Sequence, residues 1–401
     1  MNHKPLQGIR VLEVGAYISA PYAGSLLDSL GAQVVKVEPP QGDAYRRGVG
    51  VEFAPYVQYN AGKKSVAINL KSGDGVALVK DLLPRFDVLI ENMRPGKMAA
   101  LGLGADSCRQ INPQLIYTSV SGFGSGGPLA DRPAYDTIGQ SYGGIYAMMN
   151  DQGQPRLTGT CMGDLITGVS TTMGILAALL ARARDPGQTG ALVETSLMES
   201  VSLLTIDAMT QAFETGESPT RTARHPAAQP FCLSARSGGA ITLHLSTSEK
   251  FWAALTRVIE REDLQQDARF RRYADRAVRA HYEALDKILA QEFAKRSRDE
   301  WEQRLAQADV PFAPVLGMLE VAEHPQTKWL QMLDKAPGGL PLVRPPWRFD
   351  GQRPARDQAA AQVGEHTLEV LRDIRSPSEI EALRANGTVL AYQKSSELGG
   401  I

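Results

Sequence analysis

Short apolar runs alternate with amphipathic segments along the first 120 residues, and few folds accept that alternation. Ile9 to Val14 is an apolar run around one acid and reads as a buried strand. Pro21 to Leu30 has helical character and stops at Gly31, a residue type that ends helices. Gln33-Val34-Val35-Lys36-Val37-Glu38 is rich in valine and predicts a second strand. The three segments make a βαβ unit, which implies a right-handed crossover and parallel strands. Ser65 to Leu70 and Asp87 to Glu91 read as further strands, with a helix over Asp74 to Phe86 between them. Leu115 to Val120 is another strand, running into a glycine-rich loop. The pattern predicts an α/β fold, a Rossmann-like large domain with a parallel sheet.

A long helix is expected from about Leu165 to Arg184, stopped by Asp185-Pro186-Gly187. Thr167, Gly168, Ser170, Thr171 and Thr172 dilute its apolar run, so it reads as a buried helix and not as a membrane span. Gly190 to Thr195 reads as a strand and Leu197 to Phe213 as a helix. The character changes near Glu214. Residues 215–230, rich in Pro, Ala and Arg, read as a linker. A strand at Ala240 to Leu245 precedes charged helices over Lys250–Arg261, His281–Lys295 and Asp299–Ala308. This is the pattern of a smaller α+β domain over 231–330. Pro337 to Pro354 reads as an extended crossing segment, before helices at Thr367–Arg372 and Pro377–Asn386. The large domain is thus expected over 1–214 and 331–401.

Charge and composition exclude several function classes. Lys plus Arg number 43 and Asp plus Glu 44, for a net charge of −1. That balance gives no electrostatic reason to expect nucleic acid or a membrane surface as partner. With 43% hydrophobic and 22% charged residues the chain is neither disordered nor a coiled coil. Cys108, Cys161 and Cys232 are far apart, lack metal-ligand spacing and are odd in number. They read as reduced thiols in a cytoplasmic protein. No signal peptide is visible at the start.

The chemistry candidates begin with Gly122-Phe123-Gly124-Ser125-Gly126-Gly127, which fits G-x-G-x-x-G. A dinucleotide fingerprint needs a helix directly after it. Pro128 and Asp131-Arg132-Pro133 follow instead, which argues against nicotinamide or flavin. The six histidines form no H-E-x-x-H pattern, no metal site is indicated, and no nucleophile elbow or P-loop is present. Asp164 follows Gly163 and precedes the long apolar helix. One reading makes it the helix N-cap. The other makes it a carboxylate nucleophile, kept ionised by the helix start, with Gly163 admitting a bulky substrate. Asn92-Met93-Arg94-Pro95-Gly96 is either a plain turn or a ligand loop at a strand's carboxyl end. Gly62-Lys63-Lys64 and Lys71 are either solvated charges or phosphate contacts.

Together these residues resemble a known family, the class III CoA-transferases. That family includes formyl-CoA transferase and carnitine CoA-transferase, with alpha-methylacyl-CoA racemase as a relative. The resemblance runs through Ala20-Pro21, Leu30 to Glu38, Asn60 to Ile68, Glu91 to Gly96, Ser121 to Gly124 and Gly163-Asp164. It continues through Asp309-Val310-Pro311, Pro314-Val315, His324-Pro325-Gln326 and Gly364 to Thr367.

The resemblance implies that Asp164 attacks an acyl-CoA thioester. A mixed aspartyl anhydride and then an aspartyl-CoA thioester follow, before CoA passes to a carboxylic acid acceptor. No permanently bound cofactor is implied; coenzyme A arrives as the substrate acyl-CoA. Ile18, Ser19, Leu70, Lys71, Asn92, Met93, Arg94, Tyr135 and Asp136 fall on the family's CoA-contacting positions. An interlocked homodimer is implied as well. Compared with formyl-CoA transferase, a glutamine is replaced by Ile18, two arginines by Pro39 and Ala100, and a lysine by Pro133. Its mobile glycine loop is replaced around Ala227-Ala228-Gln229. These departures point away from formyl and oxalyl substrates and leave Arg46, Arg47 and Arg94 as candidates to compensate. In the racemase a histidine acts where Tyr135 stands, and tyrosine is a poor base at neutral pH. Transfer is therefore favoured over racemisation and over a non-catalytic CoA-binding role.

Overall fold

The computed structural model describes residues 4–47, 54–149, 154, 156–185, 187 and 189–392. Six parallel strands form its main sheet: β1 (Arg10–Val14), β2 (Gln33–Glu38), β3 (Lys64–Ile68), β4 (Val88–Glu91), β5 (Ile116–Ser121) and β6 (Leu192–Ser196). Their order is β3-β2-β1-β4-β5-β6, and a short strand, Val389–Leu390, adds antiparallel to β3 at the edge. This is doubly wound order, reversing direction between β1 and β4. The two-residue edge strand is too short to show a period in the sequence.

The register explains the near-continuous apolar runs. Val11 pairs with Val34 and Val88, and Val88 with Ile116. All four join the cluster on one face, with Leu27 and Ile175. Leu12, Val35, Leu89 and Tyr117 make the next row and enter the cluster on the other face, with Leu78 and Leu82. A parallel sheet covered on both faces has no polar side to alternate with.

The helix Ser19–Ser29 follows β1, and the long helix Met162–Arg184 packs against it. Close approach needs Gly168, where a Cβ would lie 2.8 Å from the Tyr22 ring and 3.0 Å from the Ser19 carbonyl oxygen. By length and composition this long helix is apolar enough to cross a membrane. Its buried face, however, carries Thr167, Thr171 and Thr172. Thr167 and Thr172 donate to carbonyls one turn back, and Thr171 bonds Thr195 on β6. The helix expected over Leu197–Phe213 is two helices, Leu197–Ser202 and Ile206–Thr215. Thr205 lies between them, buried, with its hydroxyl donating to the Gly143 carbonyl.

Two compact units emerge, one of residues 1–147, 156–209 and 326–401, the other of 148–155 and 210–325. The second holds a three-stranded antiparallel sheet, Pro230–Ser234, Ala240–His244 and Phe312–Pro314. Helices Glu249–Val258, Arg279–Phe293 and Arg298–Gln307 cover a core that includes Trp252, Phe293 and Trp301. The helix His225–Ala228 occupies part of the segment that reads as linker.

Candidate active site

A cavity of about 740 Å³ lies at the carboxyl ends of the parallel strands. Val14 ends β1 there, Glu38 ends β2, Ile68 ends β3, Asn92 follows β4 and Ser121 ends β5. Open α/β sheets offer their ligand crevice at this end, beside the point where strand order reverses.

Asp164 and the nine residues expected to contact CoA all line this one cavity. Ile18 ends the turn after β1 and Ser19 opens the helix that follows, Leu70 and Lys71 come from the turn after β3, and Asn92, Met93 and Arg94 from the loop after β4. Tyr135 and Asp136 open the helix Asp136–Tyr142. Asp164 lies in the first turn of the long helix. Tyr17, Arg132 and Cys161 also line the cavity. Sequence reasoning missed all three, because each borders a motif without belonging to one.

Asp164 does not cap its own helix. The N-cap is Cys161, which makes no side-chain cap bond. The cap comes from a residue 28 positions back: Asp136 Oδ1 accepts from the Gly163 N–H at 2.8 Å and the Asp164 N–H at 3.2 Å. Gln140 donates to Asp136 Oδ2 at 2.7 Å. Gly163 makes room for this cap, since a Cβ would sit 3.1 Å from Asp136 Oδ1.

The helix start therefore does not hold Asp164 ionised, contrary to the expectation from its position. Burial first, and the Asp136 carboxylate second, push Asp164 up to about 7, against a hydrogen bond with Ser19. The native state thus keeps a proton that the unfolded chain loses near pH 4. Stability contributed by this group falls as pH rises from about 4 to 7. Asp164→Asn is expected to melt higher than the wild type at pH 8, with the gap closing toward pH 5. An unchanged or lower melting temperature at pH 8 contradicts this.

Buried charges shape the turn after β1. Lys36 Nζ reaches Glu13 and Asp43 carboxylates at 2.9 Å each and the Gly15 carbonyl at 2.6 Å. Asp43 Oδ1 accepts from the Tyr45 N–H at 2.9 Å and the Tyr17 N–H at 3.4 Å. Asn92 closes the turn, accepting from the Ala16 N–H at 2.9 Å and donating to the Ala16 carbonyl at 2.8 Å. Tyr17 takes a left-handed φ of 63°, and its ring meets Tyr135 edge-on at 5.6 Å. Tyr135 is 61% exposed, so a ligand can reach it.

The cations divide sharply. Lys71, Arg94 and Arg132 are exposed and line the cavity. Lys63 does not face a phosphate: its buried ammonium bonds Glu13, the Pro21 carbonyl and Asn60, and burial lowers it to about 8. Lys64 pairs with Glu369 at 2.6 Å. Arg46 forks onto Glu38 at 2.7 and 2.8 Å and stacks over Tyr56, so it is committed inside the fold. The Arg47 side chain lies outside the described residues. The loop Gly122 to Gly127 has no helix directly after it, and the next helix begins at Asp136. Among the described residues no cluster of three or more His, Cys, Asp or Glu is placed to hold a metal ion.

Comparison with known proteins gives a consistent result. The profile of CoA-transferase family III matches residues 6–367. Acetyl-CoA:oxalate CoA-transferase of Acetobacter aceti is 34% identical, over 93% of this chain and 96% of that protein. Succinyl-CoA:glutarate CoA-transferase of Homo sapiens is 28% identical, over 93% and 86%. A CAIB/BAIF family protein from Brucella suis superposes with a TM-score of 0.83 at 30% identity, covering 93% of this chain and all of that one.

Proposed function

The chain belongs to CoA-transferase family III and is an enzyme of that family, and from this premise we propose that Asp164 carries CoA between two carboxylic acids. An Asp164 carboxylate oxygen bonds to the acyl carbon of the donor thioester, the C–S bond breaks, and CoA leaves as thiolate. The thiolate then attacks the Asp164 carbonyl of the mixed anhydride. The donor acid leaves as carboxylate, and an aspartyl-CoA thioester remains. The acceptor acid runs the same steps in reverse. One thioester replaces another, so the reaction balances without ATP, metal or redox chemistry. Covalent capture divides one difficult exchange into easier steps.

The observation that carries this reading is the placement of Asp164 in the cavity wall with its proton affinity raised. A more basic carboxylate is a better nucleophile against a thiolate leaving group. Its anion forms as pH rises through about 7, so kcat/KM is expected to climb about ten-fold from pH 6 to pH 8. A flat profile over that range contradicts an Asp164 anion as the attacking species.

Lys71, Arg94 and Arg132 are the cations that suit the CoA phosphates. Replacing Arg94 and Arg132 together by Ala is expected to raise the Kd for CoA about ten-fold or more. Unchanged CoA affinity removes them from the phosphate site. Ile18, Ser19, Leu70, Met93 and Tyr135 would pack along the pantetheine and acyl group. Asn92 holds Ala16 in the turn that leads to Ile18 and Ser19.

The acids exchanged are found by offering acetyl-CoA or succinyl-CoA with a panel of mono- and dicarboxylic acids. The relative named for oxalate keeps oxalate in that panel, despite the departures at Ile18 and Pro39. The three free thiols suit the cytoplasm. A homodimer fits the exposed Met173 and Leu180, which share one face of the long helix at 66% and 52% exposure. Sedimentation as a monomer at micromolar concentration contradicts that assembly.

A further inference from the structure

Asp136 reads from the family resemblance as a CoA contact, but both of its oxygens are engaged within the protein. Oδ1 receives the two N–H groups that open the nucleophile's helix, and Oδ2 receives Gln140. Gln140 is itself fixed: it is fully buried, and its Oε1 accepts from the Thr158 hydroxyl at 2.7 Å. The carboxylate is therefore held on the helix start, next to Asp164 and without freedom to swing toward a ligand.

We infer that Asp136 is a positioning residue whose negative charge favours acylation of Asp164, by making the free Asp164 anion less stable than its neutral acyl forms. The inference rests on Asp164 being the nucleophile. Before attack two carboxylates share one helix end. After attack Asp164 is a neutral anhydride and the negative charge has moved to the CoA sulfur. The aspartyl-CoA thioester is neutral in the same way. Asp136 lies nearest the negative charge while that charge is on Asp164, so each covalent intermediate, with the charge moved to a leaving group, relieves repulsion. Capping alone needs no charge, because a neutral oxygen accepts the same N–H bonds.

The groups that act on Asp164 are consistent with this direction. They are Asp136, with its like charge, and the Ser19 hydroxyl, which stabilises the anion. Cys161 and Tyr45 also feel the Asp164 charge, and both are raised, chiefly by burial, so they stay neutral near pH 7.

Asp136→Asn separates charge from capping, since the amide oxygen retains the two N–H bonds. The acid limb of kcat/KM is expected to move down by on the order of one pH unit. The ratio of acylated to free enzyme at equilibrium with acyl-CoA is expected to fall on the order of ten-fold for that shift. That ratio is read by intact-protein mass spectrometry after acid quenching. Asp136→Glu keeps a negative charge and should leave the limb near the wild-type position. Should the Asn variant fail to fold, Asp136→Ser supplies a neutral acceptor and the same two readouts. A neutral variant that folds and keeps both the wild-type limb and the wild-type ratio overturns the inference. Full transfer activity in Asp164→Ala would instead overturn the nucleophile assignment beneath it, so the two failures are told apart.

Discussion

Asp164→Ala is expected to lower kcat for CoA transfer by at least about 10³-fold, because in the proposed mechanism it removes the atom that forms the covalent bond. The loss should appear in kcat and not in CoA affinity. Asp164 lies at the opening of the long helix, while the cations Lys71 and Arg94 come from the turns after β3 and β4. The variant should also remain folded, since the cap on its helix comes from the Asp136 side chain to backbone N–H groups. Equilibrium binding of CoA to the inactive variant checks both points at once. Loss of binding along with activity points to a collapsed site, and retained activity points to another nucleophile.

Lys36→Met should damage the fold severely. Its side chain is 1% exposed, and its ammonium is ion-paired with two buried carboxylates and hydrogen-bonded to the Gly15 carbonyl. Removing one partner of a buried pair leaves its charge uncompensated, at a cost of about 3–5 kcal/mol. Glu13 retains Lys63 at 2.7 Å, so the larger part of the damage falls on Asp43. Asp43 accepts the Tyr17 and Tyr45 N–H groups, so the turn after β1 should loosen as well. Urea unfolding measures the loss. Combining Lys36→Met with Asp43→Asn should recover part of it, because the orphaned charge is gone. An additive double variant contradicts this assignment of the cost.

The sheet was legible because its strands are buried on both faces. Val11 to Val14 and Val34 to Val37 are apolar apart from one buried charge each, Glu13 and Lys36, Val88 to Ile90 is apolar throughout, and turns separate these runs from helices. The break at Thr205 was not legible, since it depends on a hydrogen bond to Gly143, 62 residues away. The same limit applies within the site. Gly163-Asp164 marks the helix start, but nothing local reveals that Asp136 caps it. Lys63 and Lys71 look alike as charges in loops. One is sealed among Glu13, Pro21 and Asn60, and the other opens to the cavity. Arg46 and Arg94 part in the same way, because Glu38 holds the first. Charge type is written in the sequence, whereas the commitment of a charge to a buried partner arises only on folding.

The covalent intermediate itself tests the mechanism most directly. The enzyme is incubated with acyl-CoA and treated with hydroxylamine, and its peptides are mapped by mass spectrometry. Hydroxylamine converts an activated aspartyl group to a hydroxamate. The label should fall on Asp164, depend on acyl-CoA, and disappear when the acceptor acid discharges the enzyme first. A transferase that turns over normally, with no label on Asp164 and a label on another residue, would contradict the account.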